Sequence, residues 1–336
     1  AYTSDPLPLS MTHDKYYSGK RDVVLVVDRI KEAVDLKQAI SFILSDNKMS
    51  QIPSPFNEND KICFIPSKTL YLPIDKEQII KTGTVRVDKA NEVVDTMKWK
   101  VNENMILKEG LVVLDLLATN NWKRPIYMGT TVSNDSYQNL ENYFRLEGMM
   151  YRIVPVNAGK KEYDFGKVDT KLMYDNIMKK YRFRSIANPK VYLDENNGRI
   201  ISNYRSIFSR LADALIDEGK KDSAIIVLNR CMEVIPPRNV PFNYLSLSLV
   251  EGYYKAGAID KGVTYSKEML NNSASQLKFI LALSNSKMSR LKNDVQLNMA
   301  IIQELYRLAN NYEKGPHLKE IENTFNTFAS KLGRPE

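Results

Sequence analysis

The stretch Phe208-Ser-Arg-Leu211-Ala212-Asp-Ala-Leu215-Ile-Asp-Glu-Gly219, continued by Lys220-Lys-Asp-Ser-Ala224-Ile-Ile-Val-Leu228-Asn-Arg-Cys231 and closed by Pro236-Pro237, decides the second half of the fold. With Gly219 at a turn, Phe208, Leu211, Ala212 and Leu215 share one helical face, and Ala224, Leu228 and Cys231 share another. Small residues at Ala212 and Ala224 permit two antiparallel helices to cross closely, while Leu215 and Leu228 fill the seam. This is the pattern of a tetratricopeptide (TPR) hairpin. A second copy follows, carrying Gly219 onto Gly257, Ala224 onto Gly262, Leu211 onto Leu249, Leu215 onto Tyr253 and Cys231 onto Met269, with Ser246 and Ser266 where bulky seam residues are expected. The best repeats span 204–237 and 242–275, and period alone extends the helical pattern to residue 332.

Upstream the periods change. Asp35 caps a helix in which Leu36, Ala39, Ile40, Ile43 and Leu44 form one stripe, Gln38 can complete a capping box, and Asp46-Asn47 mark the end. From Ile52 to Pro73, prolines interrupt short apolar runs, Cys63-Phe64-Ile65 and Leu70-Tyr71-Leu72, and a sheet is expected to begin there. Met105 to Ala118 reads as a helix stopped by Asn120-Asn121, Pro125 to Gly129 as a strand, and Met149 to Val156 as a second strand. Asp169 caps a further helix reaching about Tyr181, and Asn188 to Gly198 reads as a linker. The expected fold is an α+β or α/β domain over 1–166 followed by an all-α, TPR-like helical-hairpin domain over 167–336.

Composition bounds the function. The 336 residues suit two domains of about 100–200 residues. Hydrophobic residues at 43% and charged residues at 26% are globular values. No run approaches the roughly 18 apolar residues of a membrane span; the richest window, Gly110 to Ala118, is broken by Asp115. The chain opens at Ala1 without Met or a signal region and reads as a processed piece of something longer. Cys63 and Cys231 lie in different halves, so no disulfide framework or Cys-x-x-Cys site is expected, and both read as free core thiols. A net charge of +8, from 48 Lys+Arg against 40 Asp+Glu, is dispersed in pairs such as Lys160-Lys161, Lys179-Lys180 and Lys220-Lys221. Such dispersion suits an anionic membrane surface or a polyanion and argues against nucleic acid.

Catalytic patterns are not found. His13 and His317 are the only histidines and lie at opposite ends, so Ser-His or Cys-His chemistry needs a long-range coincidence. No phosphate-binding glycine loop, metal motif or cofactor motif occurs. One segment stands out: Asn121-Trp122-Lys123-Arg124-Pro125-Ile126-Tyr127, followed by Leu146-Glu147-Gly148-Met149-Met150-Tyr151-Arg152-Ile153-Val154-Pro155. Trp122 is most simply an anchor between helix and strand, and Arg124, Glu147 and Arg152 can pair. The alternative is a ligand site in which Lys123, Arg124 and Arg152 form a fork for phosphate or carboxylate beside Tyr127 and Tyr151.

These two strings, with Asp5-Pro6-Leu7-Pro8-Leu9, Arg21-Asp22 and the TPR-like tail, resemble the soluble C-terminal region of a bacterial family of multi-spanning membrane proteins of unknown function. That family is similar to GT-C glycosyltransferases and related to an animal protein O-mannosyltransferase. The resemblance implies an accessory or binding domain at the periplasmic face of the inner membrane, with catalysis, if any, in the membrane-embedded part of its own parent chain. It supplies no catalytic, metal or cofactor residue. Possible partners are that membrane part, a peptide or glycan, and anionic lipid. A free-standing TPR-type interaction module is the alternative.

Overall fold

A computed structural model of the chain describes residues 6–57, 59–130, 132–159 and 166–332. Asp5 and Lys160-Lys161, singled out above, lie outside the described residues. Two compact units result, 1–169 and 170–336.

The first unit runs α1 (His13–Tyr17), β1 (Val23–Val26), β2 (Val34–Asp35), α2 (Leu36–Leu44), β3 (Gln51–Pro53), β4 (Lys61–Ile65), β5 (Thr69–Pro73), α3 (Lys76–Lys81), β6 (Thr96–Lys100), β7 (Met105–Leu107), α4 (Lys108–Thr119), β8 (Tyr127–Gly129), β9 (Phe144–Leu146), β10 (Met150–Ile153) and β11 (Lys167–Val168). The strands form three sheets, ordered β3-β4-β1-β7, β2-β5-β6 and β11-β9-β10-β8. β1 is parallel to β4, with Leu25 opposite Phe64, and antiparallel to β7, with Val24 opposite Ile106. Sheet structure thus begins at Val23, ahead of the expected Ile52.

Met105–Leu107 is the clearest departure from the sequence reading. Its residues continue the helical period of α4, but their backbone pairs with β1, and Ile106 is buried by either geometry. The unit boundary also moves from 166 to 169, because Lys167 and Val168 pair with Arg145 and Leu146 of β9.

Helices α2 and α4 pack together against the first sheet. Asp35 caps α2 by accepting from the Lys37 and Gln38 amides. Asp115, the charge that breaks the apolar window of α4, is fully buried and accepts from the backbone N–H groups of Ser10 and Met11 at 3.0 and 2.9 Å. It thereby holds the proline-rich opening against the core. Arg21 is buried as well, donating to the Ile43 carbonyl at 3.0 Å and pairing with Asp46 at 2.5 Å. Arg21 and Lys15 hold the Asp46 carboxyl below the usual range.

The second unit contains α5 (Thr170–Asp175), a π-helical turn over Asn176–Lys180, α6 (Glu195–Asp217), α7 (Lys221–Val234), α8 (Leu247–Ala256), α9 (Ile259–Leu281), α10 (Asn285–Arg290), α11 (Lys292–Tyr312) and α12 (Pro316–Leu332). The expected linker is shorter than read: Asp194 accepts from the Asn197 amide and starts α6 at Glu195. Three hairpins follow, α6/α7, α8/α9 and α11/α12, each closed by a two- or three-residue turn. Gly219 and Gly257 adopt φ of 76° and 87°, the left-handed backbone that glycine enters most cheaply. Ala224 is fully buried while Ser223 is only half-buried. At the matching position of the second hairpin a Cβ on Gly262 would fall 2.6 Å from the Tyr254 ring, so the crossing there admits no side chain.

The third hairpin turns on Lys314, with φ of 52°. Here a lysine, followed by Gly315 and Pro316, takes the left-handed position that glycine holds in the first two hairpins.

Candidate functional site

The conspicuous strings meet in the sheet β11-β9-β10-β8. At the end of α4 the Asn120 side chain accepts from the Arg124 amide at 3.1 Å and donates to the Arg124 carbonyl at 2.6 Å, closing a tight turn. Inside it Asn121 and Trp122 have φ of 44° and 58°. A bulky side chain is seldom found in that region, and here burial of the indole, 8% exposed, offsets the strain. Gln78 of α3 donates to the Asn121 carbonyl at 3.2 Å, fastening the turn from outside. Lys123 is exposed and Arg124 half-buried.

Register places Tyr127, Arg152, Arg145 and Lys167 side by side across four strands. Glu147, two residues beyond Arg145, shares that face. Its Oε1 accepts from Arg145 Nε at 2.8 Å and pairs with Arg152 Nη1 at 3.6 Å, while Oε2 accepts from the Tyr127 hydroxyl at 2.9 Å. Arg145 Nη2 also donates to the Thr84 carbonyl at 3.0 Å. Burial, then the adjacent Glu147 carboxylate, pushes the Tyr127 phenol up to about 12. At the end of the row Lys167 Nζ meets Glu92 Oε2 at 2.8 Å, and Arg86 Nη1 meets Asp169 Oδ1 at 3.0 Å. Tyr151 alternates to the opposite face, stacked on Phe144 at 5.3 Å and edge-on to Tyr137 at 6.2 Å.

Both oxygens of the Glu147 carboxylate are already engaged by two guanidinium groups and a phenol, an arrangement that ties strands together and leaves little of the carboxylate to present to a substrate. The cavity beside Arg145 and Lys167 is about 20 Å³, room for one water and far below a sugar. Among the described residues no group of three or more His, Cys, Asp or Glu could hold a metal ion.

The family model of TMEM260-associated domain 2 matches residues 1–172. The chain belongs to that family. No curated protein and no solved structure matches it. The region matched to the TMEM260-associated domain takes in all three sheets and the ion cluster; the helical hairpins lie beyond it.

Within the TMEM260-associated domain, then, the sequence-derived site divides. Glu147, Arg152 and Tyr127 come together, Trp122 is an anchor of the preceding turn, and Tyr151 belongs to the aromatic core on the other face. The cation beside Arg152 on that carboxylate is Arg145, which the sequence reading missed; Lys123 and Arg124, the alternative fork with Arg152, lie in the turn after α4. Arg145 sits on a strand buried on both faces, so no polar–apolar alternation advertised it.

Outside the matched region a histidine and a serine do meet over a long range in sequence. His317 Nε2 lies 2.8 Å from Ser266 Oγ, and Nδ1 lies 3.1 Å from Glu320 Oε2. Ser266 is fully buried mid-helix in α9 and His317 is 3% exposed, so no substrate reaches the hydroxyl. The trio clamps α9 to α12, and it explains why a serine occupies that seam. Ser246, the other unexpected seam serine, accepts from Arg205 at 3.4 Å.

Proposed function

We propose that the chain is an accessory or binding domain of a membrane-bound, glycosyltransferase-like protein of the GT-C and O-mannosyltransferase kind, positioned at the periplasmic face of the inner membrane and without self-contained catalysis. The observation that carries this reading is the family match over residues 1–172, whose name associates the domain with a transmembrane protein. Among the described residues no helix is long and apolar enough to cross a membrane. Membrane chemistry therefore falls to the membrane-embedded part of the parent chain, the principal partner in this reading. The saturated state of Glu147 is in keeping with it, since the strongest charge cluster of the matched region is occupied by its own counter-ions.

The test is direct. Incubated with a polyprenyl-phosphate sugar and periplasmic acceptors, the purified chain is expected to transfer nothing, and turnover would overthrow the proposal. Its net +8 charge should give weak adhesion to anionic vesicles that fades as salt shortens the screening length to about 10 Å at 0.1 M.

A TPR-type interaction module, binding a peptide through the hairpins, remains the second reading and is favoured by the third hairpin, α11/α12, which lengthens the stack beyond the two legible repeats. The coding sequence upstream separates the two: a series of hydrophobic helices supports the first, a signal peptide alone the second.

A further inference from the structure

The second unit holds a pocket that neither reading uses. Residues 181–187 form a strap between the π-helical turn and α6. Phe183 pins it, buried with its ring 5.8 Å from that of Phe208. The far end is tied to the loop after α7, where Asn239 Nδ2 donates to the Ile186 carbonyl at 2.7 Å and Arg238 Nη2 to the Ala187 carbonyl at 3.5 Å. Between strap and α7 lies a cavity of about 470 Å³, within the range of small-ligand sites and unlike the single-water cavity of the first unit.

Its lining is dominated by guanidinium groups. Arg182 and Arg184 of the strap and Arg230 of α7 face it, with Glu233 as the one carboxylate. Glu233 accepts from Arg230 at 2.8 Å, and the Arg230 guanidinium lies 5.9 Å from the Phe183 ring, so that group is oriented from two sides. Among the described residues Arg182 and Arg184 have no hydrogen-bond or ion-pair partner. Arg184 moreover sits at φ of 45°, left-handed backbone that a side chain of its size rarely takes. Three positive charges against one negative leave the pocket two charges in excess.

We infer that this pocket binds a phosphate group. Guanidinium forks match phosphate oxygens in pairs, and two unneutralised forks balance a phosphate dianion or a diphosphate, whereas a single carboxylate would leave positive charge unmet. The pocket is a half-open concavity with Arg182 and Arg184 exposed at its rim, and its compact cluster of guanidinium groups suits a terminal phosphate more than the backbone of a nucleic acid, which calls for an extended basic stripe. A soluble phosphate ester and a phospholipid headgroup present the same chemistry. The inference stands apart from the accessory-domain reading and does not depend on it.

The full chain is titrated calorimetrically with inorganic pyrophosphate, and by co-sedimentation with phosphatidylcholine vesicles with and without phosphatidic acid. Three variants are compared: Arg182→Gln with Arg184→Gln, Glu233→Gln, and, as an equal-charge control, Lys319→Gln with Lys331→Gln on exposed positions of α12. Circular dichroism checks that each folds. Pyrophosphate should bind the parent, the arginine pair should weaken it about tenfold or more, Glu233→Gln should tighten it by releasing Arg230, and the lysine control should stay within roughly twofold. If phosphatidic acid vesicles show the same arginine dependence and pyrophosphate displaces them, the source is a headgroup. If only pyrophosphate does, it is a soluble ester. No binding at millimolar pyrophosphate, or equal losses in the arginine and lysine variants, overturns the inference.

Discussion

The two units bury charge in opposite ways. In the first, buried guanidinium groups meet carboxylates: Arg21 meets Asp46, and Arg145 meets Glu147, which half-buried Arg152 shares. In the second, the fully buried Arg205 is held by carbonyl oxygens, donating to Pro241 and Ile235 at 3.1 Å each and to Val240, with its guanidinium 4.8 Å above the Phe242 ring. Burial lowers its pKa to about 10. A carboxylate partner ties two side chains to each other, on one sheet face for Arg145 and Arg152, whereas carbonyl acceptors let one side chain gather an irregular loop, here the connection between the first and second hairpins. The difference follows from what each fold must organise, short strands joined across long stretches of chain or consecutive hairpins joined by bends.

The largest effects should come from removing one anchor from each unit. Trp122→Ala empties the turn below α4 and should cost about 3–5 kcal/mol, destabilising the first unit, as read by urea unfolding. A variant as stable as its parent would move Trp122 from anchor to ligand platform. Arg205→Met strands buried carbonyls in the second unit and should also cost about 3–5 kcal/mol. Retained stability would show that the loop closes without it.

Next in size is the helix crossing. Ala224→Leu should overpack the first hairpin by about 1–3 kcal/mol, while Ser223→Leu, one position away on a half-buried face, should cost much less. Equal shifts in melting temperature would contradict the assigned face. Smaller still, and opposite in sign, Lys314→Gly should stabilise the third hairpin by about 1 kcal/mol, because glycine enters the left-handed turn without a Cβ penalty.

A chemical probe sharpens the comparison without altering stability. Burial pushes the Cys231 thiol up to about 12 and raises Cys63 as well. Since the thiolate is the reactive form, both should resist alkylation at pH 8 in the native chain and react once urea unfolds it. Native labelling of either would show local opening of its unit.

How much of this was legible depends on range. The hairpin around Gly219 could be read because its period, small-residue crossing and turn lie within one short stretch. The α2 cap at Asp35 was legible for the same reason. Strand Met105–Leu107 was not, since only pairing with β1, far away in the chain, distinguishes it from the first turn of α4. In the site, Glu147, Arg152 and Tyr127 were noticed for their residue types. Arg145 and Thr84 escaped because register brings Arg145 to the Glu147 carboxylate and a distant loop brings the Thr84 carbonyl to Arg145, with no local signal for either. Arg182 and Arg184 escaped for a related reason: only the seating of Phe183 against Phe208 leaves them lining one pocket.

The central claim is that the two conspicuous strings build the third sheet of the first unit instead of serving chemistry. Hydrogen exchange on Glu147→Gln tests it most directly. Removing the shared negative charge leaves the buried Arg145 and half-buried Arg152 without their counter-ion, so amides of β8, β9 and β10 should exchange roughly tenfold faster or more, with protection across residues 170–332 unchanged. Full protection in that sheet, with the cluster's carboxylate gone, would contradict the account and free Glu147 for a functional role.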